Sequence, residues 1–130
     1  LVTAIRQIKI EVCGHETVTL LNTTEMSYLG FERTSLEQRF ATIDYKSHFA
    51  VLDSTFCVIT GYSLHEMSST GVYTPYTLTD ITLDPDTEEL VIQTTTSIVK
   101  TIYLKAFTDA GKTNYIPVNV EVCGLELITL

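Results

Sequence analysis

The chain has no tryptophan, few basic residues and no long apolar run. Among 130 residues, 8 Lys and Arg stand against 16 Asp and Glu, so the net charge is −8. This shortage of bases argues against nucleic acid and anionic membranes as partners, because both are bound through clustered Lys and Arg. Arg6 and Lys9 interrupt the first apolar stretch, and no run approaches the roughly 18 apolar residues of a membrane helix. We therefore expect neither membrane insertion nor a signal peptide, and a chain that is mature or part of something longer.

The sequence also lacks the motifs that carry common enzymatic chemistry. No glycine-framed nucleophile elbow, phosphate-binding loop, dinucleotide-binding glycine pattern or zinc-ligand spacing occurs. The three histidines, His15, His48 and His65, are scattered along the chain. We expect a protein that is not an enzyme and that needs no cofactor.

Alanine is scarce, whereas β-branched residues are abundant. There are 22 threonines, and valine, isoleucine and tyrosine are also frequent. Such residues favour the pleated, half-buried surface of a sheet over a helix. With 45% hydrophobic residues, the chain has enough apolar surface to form a core. The composition predicts one all-β domain.

Several segments alternate apolar and polar residues with the period of two that is typical of strands. The predicted strands are 8–12, 17–20, 58–64, 76–83, 90–96, 98–108 and 115–122. The turn-forming residues 84–87, Asp-Pro-Asp-Thr, predict a hairpin between the fourth and fifth of these strands. Pro117 indicates an edge position or a strand start. We expect residues 34–40 to be a polar loop with at most one helical turn. Many short strands without a long helix predict an antiparallel β-sandwich.

The two ends of the chain resemble each other. Residues 8–20 align with residues 118–130 at an offset of 110 residues, with seven of thirteen pairs identical and three more exchanging Val and Ile. Both copies contain Glu-Val-Cys-Gly-x-Glu, and the offset is close to the size of one immunoglobulin-like sandwich. The repeat therefore predicts a tandem array of similar modules.

The repeat also predicts where the modules begin and end. Residues 1–13 would be the closing strand of a preceding module, residues 14–123 one complete module, and residues 124–130 the opening strand of the next. The junctions would be Cys13-Gly14 and Cys123-Gly124, with almost no linker. A glycine at each junction permits a sharp change in backbone direction.

Three cysteines are an awkward number for a secreted protein, and the repeat accounts for it. Each module would own two cysteines, and the third would belong to its neighbour. We predict that Cys57 forms a disulfide, with Cys13 as the favoured partner and Cys123 as the alternative. A cytosolic domain with three reduced thiols is the competing interpretation.

Residues 57–64, Cys-Val-Ile-Thr-Gly-Tyr-Ser-Leu, and the hairpin 81–92 resemble cadherin-like and dystroglycan-type immunoglobulin-like repeats. The Cys-Gly-x-Glu motif is also similar to that of large Thr-rich repeat proteins on ciliate cell surfaces. The resemblance covers about residues 57–123 and implies an extracellular immunoglobulin-like sandwich. Two departures stand out: Glu89 lies near the usual glycine, and the calcium-binding motifs of true cadherins are not recognisable.

Two further surface features have alternative interpretations. The carboxylates of Asp84, Asp86 and Glu88, close to Asp80 and Glu89, suggest a calcium site, but a solvated hairpin tip is the favoured interpretation. Asn22 begins an N-glycosylation sequon that is valid only in a secretory pathway.

We expect a structural module of an extracellular filament or surface coat that assembles head-to-tail. The modules would be joined either within one tandem chain or by terminal strands donated between separate subunits. The alternative is a cadherin-like adhesion module or a glycan-binding module, in which Tyr73 and Tyr76 stack on sugar.

Overall fold

The structure is a computed structural model that describes residues 2–23, 26–31, 38–40, 44–94 and 97–123. Ten β-strands and a single 3-10 turn, Lys46–His48, make up its regular structure, and the described residues contain no α-helix. The all-β prediction is therefore confirmed. The strands are β1 Val18–Leu20, β2 Met26–Phe31, β3 Gln38–Phe40, β4 Phe49–Val51, β5 Ile59–Met67, β6 Tyr73–Pro75, β7 Ile81–Leu83, β8 Leu90–Ile92, β9 Ile98–Thr108 and β10 Thr113–Cys123.

The strands form three sheets around one core. The largest sheet has the order β2-β10-β9-β5-β6, a second has the order β3-β8-β7, and β1 pairs with β4. Inward-facing residues of all three sheets belong to the same hydrophobic cluster. Its largest fully buried side chains are Ile81, Leu90, Ile92, Ile102, Leu104, Ile116, Val118, Val120 and Val122. Alternate residues of β9 and β10 provide six of these nine, as the period-two pattern requires.

The pairing is antiparallel with one exception. Strand β10 pairs in parallel with β2, from Val118 opposite Met26 to Cys123 opposite Phe31. The expected antiparallel pairing is therefore confirmed for the other strand pairs, and the β10–β2 pair departs from it. Alternation along one strand specifies which residues face the core, but it does not specify the direction of the neighbouring strand.

The hairpin and the long strands agree with the sequence. Strands β7 and β8 pair with Leu83 opposite Leu90, and β9 has the predicted bounds. Pro117 lies in an inner strand rather than at an edge, but β2 pairs with β10 only from Val118 onward. The missing N–H of Pro117 therefore costs no hydrogen bond to β2.

Other expectations were wrong or fall outside the described residues. Residues 8–12 form no strand, and they are exposed. Residues 76–80 form no strand either, so the predicted strand 76–83 is reduced to β7. Residues 38–40 are strand β3, whereas residues 34–37 lie outside the described part. The opening strand 124–130, including Gly124, also lies outside it.

One glycine is required by close packing inside the large sheet. The register between β5 and β9 shifts between Ile59 and Gly61. A Cβ atom at Gly61 would lie 2.5 Å from Cζ of Phe107. The bulge therefore admits the Phe107 ring only because position 61 lacks a side chain.

Candidate functional site

The segment before the first strand carries an exposed apolar row. Residues 2–12, called here the N-terminal segment, are exposed throughout. Ile8, Ile10 and Val12 are 79%, 81% and 79% exposed. Side chains of this kind are usually buried when they alternate along a strand. The segment is therefore an apolar surface without a covering layer among the described residues.

The N-terminal segment ends at a disulfide. Cys13 and Cys57 are bonded, with their Cα atoms 5.5 Å apart and a sequence separation of 44 residues. This is the pairing that the sequence analysis favoured. Cys57 is buried and lies two residues before β5, so the bridge attaches the segment next to the start of a strand of the large sheet.

Glu16 fixes the backbone immediately after the disulfide. Its Oε2 accepts the N–H of Gly14 at 2.7 Å, and its Oε1 accepts the hydroxyl of Thr108 at 2.8 Å. Gly14 has φ +135°, a region that side chains rarely adopt. The hydrogen bonds from Gly14 and Thr108 hold the pKa of the Glu16 carboxyl below its usual value. We call Cys13, Gly14, Glu16, Cys57 and Thr108 the junction site.

Contacts upstream of the disulfide also reach the loop before Cys57. The hydroxyl of Ser54 donates to Oε1 of Glu11 and accepts the N–H of Cys57 at 2.8 Å. The Lys9 ammonium lies 5.4 Å from the centre of the Phe56 ring. The end of the N-terminal segment is thus held against the loop 53–57.

The junction site is the one place in the described residues where three groups that could bind a metal converge. The Sγ atoms of Cys13 and Cys57 and a carboxylate oxygen of Glu16 lie within 4.8 Å of one another. Both sulfur atoms are used in the disulfide. The arrangement is a covalent link with a polar clamp rather than an open ligand set.

The three candidate calcium ligands lie in the β7–β8 hairpin, where their oxygens have other partners. Oδ1 of Asp84 accepts the N–H groups of Asp86 and Thr87 at 2.8 and 3.0 Å. Oε1 of Glu88 forms an ion pair with Lys46 at 3.0 Å. In the described residues these carboxylates do not converge on a common point. The hairpin tip is therefore stabilised by its own turn and by Lys46.

The tyrosines considered for sugar stacking are engaged within the protein. Tyr73 stacks on Tyr115, with ring centroids 3.8 Å apart and an angle of 3° between the rings. The Tyr76 hydroxyl donates to Asp80 and accepts from Nζ of Lys100 at 2.9 Å. Burial alone would raise the pKa of Asp80, but the hydrogen bonds from Lys100 and Tyr76 lower it below the usual value.

The remaining predicted site residues are spread over the surface. Asn22 is exposed just after β1, while Thr24 of its sequon lies outside the described residues. Cys123 is a half-buried thiol at the end of β10. Gly14 lies between the disulfide and Glu16, and its place at a module boundary stays a prediction.

Sequence reasoning missed the buried polar side chains, among them Glu16 and His65. Glu16 appeared only as part of the repeated motif, and nothing local marked it as buried. His65 is buried, its Nε2 lies 2.8 Å from the Ser63 hydroxyl, and burial lowers its pKa with help from Lys105. The alternation in β5 was the one signal that could have indicated an inward-facing position 65.

Comparison with models of known protein families and with curated proteins finds no match for this chain. No helix in the described part is long and apolar enough to cross a membrane. The function must therefore be argued from the geometry of the N-terminal segment and the junction site.

Proposed function

We propose that this chain carries one structural module of an extracellular filament or surface coat, in which similar modules follow one another head to tail. Residues 14–123 would form the module, residues 1–13 the closing strand of the module before it, and residues 124–130 the opening strand of the next. The module would be an immunoglobulin- or cadherin-like sandwich. The single core shared by three sheets supports this architecture.

The burial of the two repeated segments carries the proposal. Val118, Val120 and Val122 in β10 are 0%, 1% and 1% exposed. Their counterparts at the offset of 110 residues are Ile8, Ile10 and Val12, which are almost fully exposed. The same pattern is therefore buried in one copy and left open in the other. An open row of apolar side chains with this spacing fits the β10 position of another module.

The polar face of the repeated segments supports the same assignment. Lys9 and Glu11 alternate with the apolar row, as Asn119 and Glu121 do in β10. Glu121 is exposed and Asn119 half-buried. The correspondence ends at Arg6, whose counterpart is the buried Ile116, so the assignment rests on residues 8–13.

The disulfide and the surface support an extracellular location. Disulfides persist mainly in oxidising compartments. Exposed Asn22 offers a position for a glycan there. A non-enzymatic role fits the engaged polar groups of the hairpin and of the tyrosine cluster. The adhesion or glycan-binding alternative has less support, because Tyr73 and Tyr76 already have partners within the protein.

Two forms of head-to-tail assembly use the same row. In the first, residues 8–13 belong to the preceding module of one tandem chain. In the second, a separate subunit receives them as a donated strand. The tandem form is preferred, because the second copy of the motif begins within β10 and continues beyond it without a linker.

A two-copy protein tests the proposal. It consists of residues 1–117 followed directly by residues 8–130, so that residues 8–13 complete β10 of the first copy. We expect amide hydrogens of residues 8–12 to exchange fast in the single chain. At the joint of the two-copy protein, the same residues should exchange at least 100-fold more slowly. Residues 118–122 of the second copy provide the internal control, because they should be protected in both proteins.

A matched variant makes the result specific. Replacing Ile8 and Ile10 at the joint by Asp should abolish the protection of residues 8–12, because a charged side chain does not fit the core position of β10. Equally fast exchange of residues 8–12 in the single-chain and two-copy proteins would refute the proposed function.

A further inference from the structure

The disulfide would cross the boundary between two modules, an inference that rests on the proposed function. Cys13 is the counterpart of Cys123, the last residue of β10. Cys57 lies inside the module that follows, two residues before β5. If residues 8–13 close one module, the bridge therefore begins in that module and ends in the next.

We propose that the Cys13–Cys57 bridge is an inter-module staple that fixes the angle between successive modules. The surface that receives it is the loop 53–57 together with Thr108, at one end of the module. Its partner is the end of the closing strand of a similar module, which carries Cys-Gly-x-Glu. By the repeat, Cys123 makes the same bond to the next module.

The geometry leaves no slack at this joint. Gly14 turns the backbone, and its N–H is held by Glu16 two residues later at 2.7 Å. Glu16 is anchored to Thr108 in β9 at 2.8 Å. Strand β1 begins at Val18, so four residues separate the bridge from the next sheet. A hydrogen-bonded connection of this length restricts rotation far more than a flexible linker does.

Contacts on the other side of the bridge hold the closing strand itself. The Ser54 hydroxyl donates to Glu11, and Lys9 lies over the ring of Phe56. Lys9 and Glu11 belong to the polar face of the N-terminal segment, which remains accessible when the apolar face is buried in a sandwich. These contacts are therefore compatible with residues 8–12 acting as β10 of the preceding module.

Formation of the staple is a two-electron oxidation. Each thiol loses one proton and one electron, and the new S–S bond joins the two sulfur atoms. A disulfide oxidant accepts the electrons and protons; oxidised glutathione, used in the test below, becomes two molecules of reduced glutathione. The staple therefore forms only where the array is exposed to an oxidising disulfide pool.

The two-copy protein, oxidised with glutathione, separates this inference from the proposed function. A spin label on a non-cysteine amino acid replaces exposed Ser69 in each copy, and pulsed electron paramagnetic resonance measures the distance between the labels. We expect one narrow distance distribution. Peptide mapping without reduction should show the joint Cys13 bonded to Cys57 of the second copy.

Matched cysteine variants decide the role of the bridge. Cys57→Ser in the second copy removes the staple at the joint and should at least double the width of the distribution. Cys57→Ser in the first copy removes the same bridge where no module precedes it, and should leave the width unchanged. Circular dichroism confirms that both variants remain folded; if either unfolds, the same comparison is made with the corresponding Cys13→Ser variants.

The outcomes separate the two ideas. An unchanged narrow width after loss of the joint bridge, or a joint Cys13 found as a thiol, overturns the staple and leaves the module array intact. Protection of residues 8–12 without a narrow distribution in the oxidised protein also overturns the staple. Loss of that protection overturns the array itself.

Discussion

The repeated segment predicts that truncating an equivalent side chain costs different amounts of stability in the two copies of the segment. Val120 is buried in β10, and its counterpart Ile10 is exposed. Truncating Val120 to Ala removes two buried methyl groups, about 1.6 kcal/mol of transfer free energy. The residual cavity adds about 1 kcal/mol. We expect Val120→Ala to lower the free energy of unfolding of the single chain by roughly 2–3 kcal/mol.

The matched variant Ile10→Ala should behave differently. In the single chain the Ile10 side chain lies in solvent, so the loss should stay below about 0.5 kcal/mol. In the two-copy protein the same residue would occupy the Val120 position of the first copy. There, Ile10→Ala should lower the stability of the first copy by about 2–4 kcal/mol.

Urea denaturation followed by tyrosine circular dichroism measures both effects. With an m-value of about 1.5 kcal/mol/M, a loss of 2–3 kcal/mol shifts the midpoint by roughly 1.3–2 M. A cost for Ile10→Ala that stays below about 0.5 kcal/mol in the two-copy protein would refute the strand assignment. A large cost already in the single chain would refute the exposed position of Ile10.

Three further predictions concern the single chain. The Cys13–Cys57 bridge joins residues that are 44 apart in the sequence, so its reduction should lower the free energy of unfolding by about 4 kcal/mol in the chain-entropy treatment. Urea melts with and without dithiothreitol measure this loss. The folded protein depresses the Glu16 pKa, so ionised Glu16 adds to the free energy of unfolding above the unfolded value of about 4.3, and this contribution is lost as the pH falls from there through the folded value. Urea melts at pH 7 and pH 3 should therefore show a smaller fall in the free energy of unfolding for Glu16→Gln than for the unchanged protein. Gly61→Ala should cost about 1–3 kcal/mol in thermal melts because its Cβ meets the Phe107 ring, and Phe107→Leu should relieve part of that cost.

The sequence was most informative where one residue type had a clear local effect. Strand β9 has the predicted bounds, and the Asp-Pro-Asp-Thr turn placed Leu83 opposite Leu90. Long alternation and turn chemistry are local signals, and they were sufficient to predict the bounds of β9 and the β7–β8 hairpin. The three-residue strand β6 was not predicted, because alternation over three residues alone cannot be distinguished from chance.

The parts that failed depend on groups far apart in the chain. The Lys100 ammonium reaches Asp80 at 2.6 Å across 20 residues, and Thr108 reaches Glu16 across 92. Neither pairing leaves a mark on the local sequence. The disulfide was predictable in part, since cysteine counting and the repeat narrowed the partners of Cys57, while the geometry of the bridge required the fold.

The position of the bridge also determines how the module responds to a pulling force applied along the chain. Tension entering at residue 13 passes through the S–S bond to Cys57 and bypasses residues 14–56, which include β1 to β4. At about 3.4 Å per extended residue, roughly 150 Å of contour length stays locked when the remainder unravels. An oxidised module should therefore extend less under force, and reduction of the bridge should increase this extension without any change of sequence.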